Sequence, residues 1–215
     1  WVDVSGIYPL PEGPGCPNLF RKELASWVPG IERKVILLYS GNMGAKQGLE
    51  LLAPLAESFA GDPRVHFLFC GDGAFRSRLE ALVAHMVNVT MLPLQPLDRL
   101  NDLLNAGDIH LLPQRASAAD LVMPSRLGAM LASGRPVVAT AHAGTQVAQV
   151  VEGRGIAVAA EDEAALHDAV SALVEDEALR GRLGRAAREY AVKHLGKQQV
   201  LEQFERDLEA ASLSI

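Results

Sequence analysis

Between residues 34 and 159 short apolar runs recur at nearly regular intervals. They are KVILLYS (34–40), VHFLFCG (65–71), NVTML (88–92), DIHLLP (108–113), PVVAT (136–140) and GIAVA (155–159). Each is short, and most are rich in β-branched or aromatic residues. Runs that are apolar throughout, with no alternation, belong to strands covered on both faces. Between them, near 46–60, 74–86, 97–105, 125–133 and 145–151, apolar residues return every three or four positions, the period of an amphipathic helix. Six strands alternating with helices predict a doubly wound α/β fold around a six-stranded parallel sheet.

The two ends depart from this rhythm. Residues 1–17, WVDVSGIYPLPEGPGCP, hold no sustained period and read as an extended lead-in, after which Asn18 can cap a short helix in LFRKELASW. Beyond residue 161 the pattern is helical only, in EAALHDAVSALVED, EALRGRLGRAAREYAVKHLG and QQVLEQFERDLEAA. The boundaries expected are 1–33 for a linker strand and short helix, 34–161 for the α/β core, and 162–215 for C-terminal helices. Those helices pack on the core and, through the last, toward a domain outside this chain.

Composition narrows the function classes. With 215 residues, about half hydrophobic, the chain can bury a large core. No apolar run approaches a membrane span and no targeting segment opens the chain. A net charge of −6 with interspersed signs argues against a nucleic-acid surface, so an anionic ligand must be held by a local cluster of donors. Cys16 and Cys70 lie far apart, and Cys70 closes an apolar run, which fits a buried thiol in a reducing cytoplasm. The six His show no metal-ligand spacing.

Ligands of such sheets bind beyond the carboxyl ends of the strands. Three loops there carry unusual chemistry. In YSGNMGAKQG, Gly41 and Gly44 let backbone N–H groups approach an anion, Asn42 supplies an amide, and Lys46 a charge at an expected helix start. A plain glycine-rich turn is the alternative. The spacing matches neither a nicotinamide fingerprint nor a P-loop. In CGDGAFRSRLE, Asp72 follows Gly71 and reads chiefly as a turn residue capping the next helix, with Arg76 and Arg78 as solvated surface. In DLVMPSRLGAMLASGRPVVAT (120–140), Pro124 suits the first turn of a helix, Ser125 can cap it, and Arg126 adds a forked charge beside the free first-turn N–H groups. Two helix starts flanking one crevice suit a diphosphate.

The segments VILLYSGNMGAKQGLELL, VHFLFCGDG, NVTMLPLQPLDRLNDLLNAGDIHLLP and PSRLGAMLASGRPVVAT resemble the C-terminal half of retaining glycosyltransferases of family 4, with GT-B architecture, over about residues 1–195. The nearest flavour is the exopolysaccharide, colanic-acid and O-antigen group. That resemblance implies a Rossmann-like domain binding a nucleotide-diphospho-sugar, UDP- or GDP-linked, with no metal or other cofactor. It places the base against Leu92, Pro93, Leu94 and Gln95, and the diphosphate on 41–46 and 123–127. The donor-binding set it implies is Gly41, Asn42, Gly44, Gln47, Gly71, Leu94, Gln95, Pro124, Ser125 and Leu127, with Asp120, Lys46 and Arg126 in catalytic roles. WVDVSGIYPLP resembles the family's linker strand, and the start at Trp1 reads as a fragment whose acceptor-binding half is missing. A lipid-linked or saccharide acceptor, and a cytoplasmic place at the inner membrane face, follow from the resemblance alone.

This sequence departs from the family where two Glu, with seven residues between them, contact the donor sugar and ribose. Asp120 and Gly128 stand there, with Gln149 as a candidate substitute on the ribose. The family's Arg and Lys after the first strand are Asn42 and Gln47, so Lys46 and Arg126 are expected to supply the charge. Competing readings are a nucleotide-binding domain inactive without its acceptor half or a partner, a nucleotide-sugar epimerase half, and an NAD-binding domain.

Overall fold

A computed structural model describes residues 1–10, 18–116 and 123–212, with side chains through residue 207. Six parallel strands form one sheet: β1 (Val35–Asn42), β2 (Val65–Asp72), β3 (Val89–Leu92), β4 (Ile109–Leu112), β5 (Val137–Thr140) and β6 (Gly155–Val158). Their order is β3-β2-β1-β4-β5-β6. Chain direction across the sheet reverses between β1 and β4, which are paired directly, Leu37 to Ile109 and Leu38 to His110. That reversal opens a crevice at the carboxyl ends of these two strands. The expected doubly wound fold is present.

Helices cover both faces. The short α1 (Leu19–Ala25) is capped as expected by Asn18, whose side chain accepts from the Arg21 N–H. It packs beside α4 (Leu100–Ala106), and Phe20, Leu24, Ile36, Leu38, Leu68 and Leu103 close a small core there. The largest core lies on the opposite face. It joins Leu37, Tyr39, Phe67 and Phe69 to α2 (Leu52–Ser58), α3 (Arg76–Val83) and α7 (Glu163–Glu175), with Leu166, Val170 and Leu173 buried. A third cluster gathers α5 (Ser125–Ala132), α6 (Gln146–Val151, capped by Thr145) and α8 (Glu177–Tyr190). The last helix, α9 (Lys197–Ser212), leaves Leu201 and Phe204 exposed.

The lead-in is bound more tightly than its composition suggests. Val2 and Ile7 are buried, and Val2 forms a single bridge to Gly196. From α8 the Arg188 guanidinium donates to the carbonyls of Val4, Ile7 and Ala132. One Arg thus holds segments that no sequence period relates. Cys16 lies outside the described residues, whereas Cys70 is buried as expected.

Candidate functional site

The glycine loop after β1 is anchored by its apolar member. Met43 is fully buried, its N–H donates to Asp72 O at 2.7 Å, and its carbonyl accepts from Phe75 N–H at 2.8 Å. The loop is therefore fastened to the end of β2. Its next turn, Ala45–Gln47, is a single 3-10 turn, followed by another at Leu49–Leu51, and α2 begins only at Leu52. The helix start expected near Lys46 is absent for a local reason. Gly48 adopts a left-handed conformation between the turns (φ 61°), and a Cβ there would stand 3.0 Å from the carbonyl carbon of Gln114. The chain bends at Gly48 to pack against the end of β4.

The turn offers a different candidate place for an anion. The N–H groups of Gly44, Ala45 and Lys46 have no acceptor among the described residues, while Gln47 N–H closes the turn on Gly44 O. Successive free N–H groups in a turn form a concavity suited to an oxyanion without any long helix dipole. Around Gly44 the amides of Asn42 and Gln47 converge, at 3.2 Å and 2.9 Å from where its Cβ would be. Lys46 is exposed and makes no ion pair among the described residues. Nearby Arg115 is engaged by Glu50 at 2.8 Å.

The expected loop before α5 meets the glycine loop through Arg126. Its Cδ and Nη1 lie 3.6 Å from the position a Gly41 Cβ would occupy, and Gly41 has φ 127°. Nη1 donates to Tyr39 Oη at 2.8 Å, and the guanidinium carbon sits 4.9 Å from the Tyr39 ring centre. Nε is buried without a partner, and Nη2 makes no hydrogen bond among the described residues. One arm of the fork is held while the other stays uncommitted. Pro124 takes the cap position of α5 and Ser125 is the first helical residue, exposed, with no capping bond from its side chain. The expectation that Ser125 caps the helix is therefore corrected, because the proline's extended backbone (ψ 123°) makes the turn itself.

Other expected site residues are drawn elsewhere. Leu127 is fully buried and its N–H donates to Pro124 O at 3.0 Å, which leaves it no group for a ligand. At Gly71 a Cβ would fall 1.9 Å from the carbonyl oxygen of Gly41, so this glycine admits the neighbouring strand. Asp72 caps no helix; its Oδ1 accepts from Gly73 N–H at 2.7 Å. Arg76 is not free surface either. It donates to Gly71 O and Leu92 O and pairs with Glu80, tying the ends of β2 and β3 together. Arg78 is exposed over the Phe75 ring. A side chain at Gly128 would meet Val2 at 3.4 Å, in the core, so position 128 does not reach the crevice. Gln149 is exposed on α6 and donates to Gly144 O. Asp120 lies outside the described residues.

In the loop after β3, Pro93 O accepts from the Cys70 thiol at 3.2 Å and from the Gln95 amide at 2.9 Å. Burial, against the smaller opposing effects of a hydrogen bond from Gln95 and the charge of Arg76, pushes the Cys70 thiol up to about 11. Leu94 stands 66% exposed and its backbone makes no hydrogen bond among the described residues. A base could pair with that backbone. The sequence reading missed Gln114 at the end of β4. Its N–H and C=O are both held by the Thr140 hydroxyl, at 2.7 and 2.8 Å, and its buried Oε1 has no partner among the described residues. Nothing in LLPQR distinguishes it, since its setting depends on Thr140 across the sheet.

A cavity of about 1120 Å³ opens instead near the amino ends of the strands, lined in part by Arg21, Asp108, Arg135, Pro136, Arg180 and Arg188. Its cations are largely spent on structure: Arg21 pairs with Asp108, and Arg180 donates to Leu173 O and Val174 O. Among the described residues no cluster of three or more His, Cys, Asp or Glu could hold a metal, and no helix is long and apolar enough to cross a membrane.

Similarity to known proteins agrees with the fold. The family model described as glycosyl transferases group 1 matches residues 34–176. Escherichia coli WcaI, described as a colanic acid biosynthesis glycosyl transferase, is 40% identical over 180 residues, 82% of this chain and 44% of that protein. The chain thus spans less than half the length of this relative. Among solved structures, sucrose-phosphate synthase of Thermosynechococcus elongatus matches with TM-score 0.73 at 22% identity, over 98% of this chain and 51% of that one. HepE of Anabaena, solved in complex with UDP-glucose, matches with TM-score 0.73 at 16% identity, over 97% and 56%. At such identities these structures speak to the fold alone.

Proposed function

The chain belongs to the glycosyl transferases group 1 family, and from that premise we propose that it is the donor-binding half of a retaining hexosyltransferase of surface-polysaccharide synthesis. The observation that carries this is the approach of Arg126 to Gly41. It sets a half-committed guanidinium beside the glycine loop, whose following turn holds three free N–H groups, at the sheet's reversal point. A nucleoside diphosphate would rest its phosphates on Gly44, Ala45 and Lys46 and meet Arg126 Nη2. Its base would lie against Leu94 and Gln95.

When the sugar departs, the bond from its anomeric carbon to the diphosphate oxygen breaks and the electron pair stays on that oxygen. Donors already aimed at the oxygen lower the barrier, and losing one such donor costs roughly 10²–10³ in rate. Lys46 and Arg126 fill this role, with Asp120 assigned to the donor sugar on the family pattern alone. HepE crystallises with UDP-glucose, which supports a UDP-linked sugar, and WcaI is described as a colanic acid biosynthesis glycosyl transferase, which supports a saccharide acceptor. The acceptor, lipid-linked at the inner membrane face, would be bound by the other half of the protein.

A second reading is that this domain binds donor and transfers nothing by itself. Calorimetric titration with UDP, GDP, ADP and NAD tests binding, and joining the chain to an acceptor half tests transfer. One nucleoside diphosphate should bind, NAD should not, and transfer should need both halves. Equal binding of NAD, or of none of the four, would end the donor reading.

A further inference from the structure

We propose that Tyr39 is a positioning residue that couples the glycine loop to Arg126, so that diphosphate binding depends on its phenolic hydroxyl. This rests on the donor-binding reading. Tyr39 lies at a fully buried position of β1, within a run where every neighbour from Ile36 to Leu38 is apolar. Phenylalanine would fill the same core space. What the hydroxyl adds is two bonds at the crevice rim.

It donates to the carbonyl of Asn42 at 2.6 Å and accepts from Arg126 Nη1 at 2.8 Å. One oxygen therefore touches both walls of the crevice. Its donation to Asn42 O fixes the peptide that leads into Met43 and the free N–H groups at 44–46. Its acceptance from Nη1 turns the guanidinium, whose face also rests 4.9 Å from the ring centre. With Nε enclosed and unpartnered, Nη1 is the only nitrogen of Arg126 with a protein acceptor among the described residues. Without the hydroxyl the fork would keep its charge and lose its aim.

Chemistry supports the same division of labour. Burial raises the phenol above its ordinary range, against the opposing charge of Arg126, so the hydroxyl keeps the proton it donates to Asn42. A preorganised fork loses less freedom per hydrogen bond formed than a mobile one. The effect should fall on phosphates and leave the base untouched. Neither the base loop at 93–96 nor Leu94 makes a hydrogen bond with Tyr39 or Arg126.

The test compares the chain with its Tyr39→Phe variant by calorimetry, using UDP, GDP, uridine and guanosine. The expected result is a fivefold or greater loss of nucleoside-diphosphate affinity in Y39F, unchanged affinity for the matching nucleoside, and an unfolding midpoint near that of the unaltered chain. In a double-mutant cycle, Y39F should cost less diphosphate affinity in the R126A background than in the unaltered chain. Equal diphosphate affinity, or equal losses for nucleoside and diphosphate, would overturn the proposal. If Y39F folds poorly, Arg126→Lys with Tyr39 intact carries the test. It keeps the charge without the fork, and near-normal diphosphate affinity would again overturn the proposal. Failure of the unaltered chain to bind either diphosphate would instead overturn the donor reading beneath it.

Discussion

A Cβ on Gly71 would lie 1.9 Å from the carbonyl oxygen of Gly41, the residue against which Arg126 rests. The two glycines face each other where β1 and β2 leave the sheet, Gly41 registered with Gly71. Any side chain at 71 must push β1 outward, and with it the loop that presents the free N–H groups. Gly71→Ala should cost about 1–3 kcal/mol, as overfilling a packed site does. It should also weaken nucleoside-diphosphate binding. Urea unfolding and calorimetry measure the two effects, and an unchanged midpoint would mean the strands separate freely there.

Arg126→Ala removes the charged donor. A hydrogen bond to a charged group is worth roughly 1.5–3 kcal/mol, so UDP or GDP affinity should fall about 10- to 100-fold. Lys46 is exposed, and Lys46→Ala should have the smaller, several-fold effect that added salt diminishes. Calorimetry at two ionic strengths separates the two. Intact affinity in both variants would remove the proposed anion site.

Acid should loosen the fold through two histidines. His110 is fully buried; the Ser133 hydroxyl donates to Met130 O, so His110 Nε2–H donates to Ser133, leaving Nδ1 unpartnered. Burial, with help from Arg135, lowers His110 to about 3. Burial, with Lys34, lowers His66 to about 4. The unfolded chain takes up these protons near pH 6.5 and the folded one does not. Stability is therefore complete above about pH 7 and falls as pH drops through 6.5 toward the folded values. From pH 7 to 5 the two rings should remove roughly 2–4 kcal/mol. Urea midpoints across that range test this, and a His66→Asn/His110→Asn variant should show a flatter profile.

Cys70 should resist thiol reagents. Its thiol is buried, donates to Pro93 O, and is raised to about 11, so little thiolate exists at pH 8. Mass spectrometry after mild alkylation should find Cys70 unmodified in the native chain and labelled once unfolded. Native labelling would show that the base loop opens readily.

The α/β alternation was legible because fully covered strands leave unbroken apolar runs, as in VILLY and HFLFC. Gly41, Asn42, Gly44, Lys46 and Arg126 stood out as candidates because loops after parallel strands have so few structural reasons to hold such residues. What could not be read was contact between distant segments. Tyr39 looks like core until Arg126, 87 residues later, reaches its hydroxyl. Gly71 looks like a ligand glycine until Gly41 is set beside it, and Leu127 looks available until its N–H closes on Pro124. The helix start at Lys46 failed because a left-handed Gly48 answers to Gln114 across the sheet, a constraint absent from any local window.

The central claim is that a diphosphate sits between the turn at Gly44–Lys46 and the guanidinium of Arg126. A crystal structure grown with saturating UDP or GDP tests it most directly. The account predicts phosphate oxygens about 3 Å from those N–H groups and from Arg126 Nη2, with Nη1 still on Tyr39. A nucleotide lodged at the amino ends of the strands, or one held by its base with the phosphates in solvent, would contradict it.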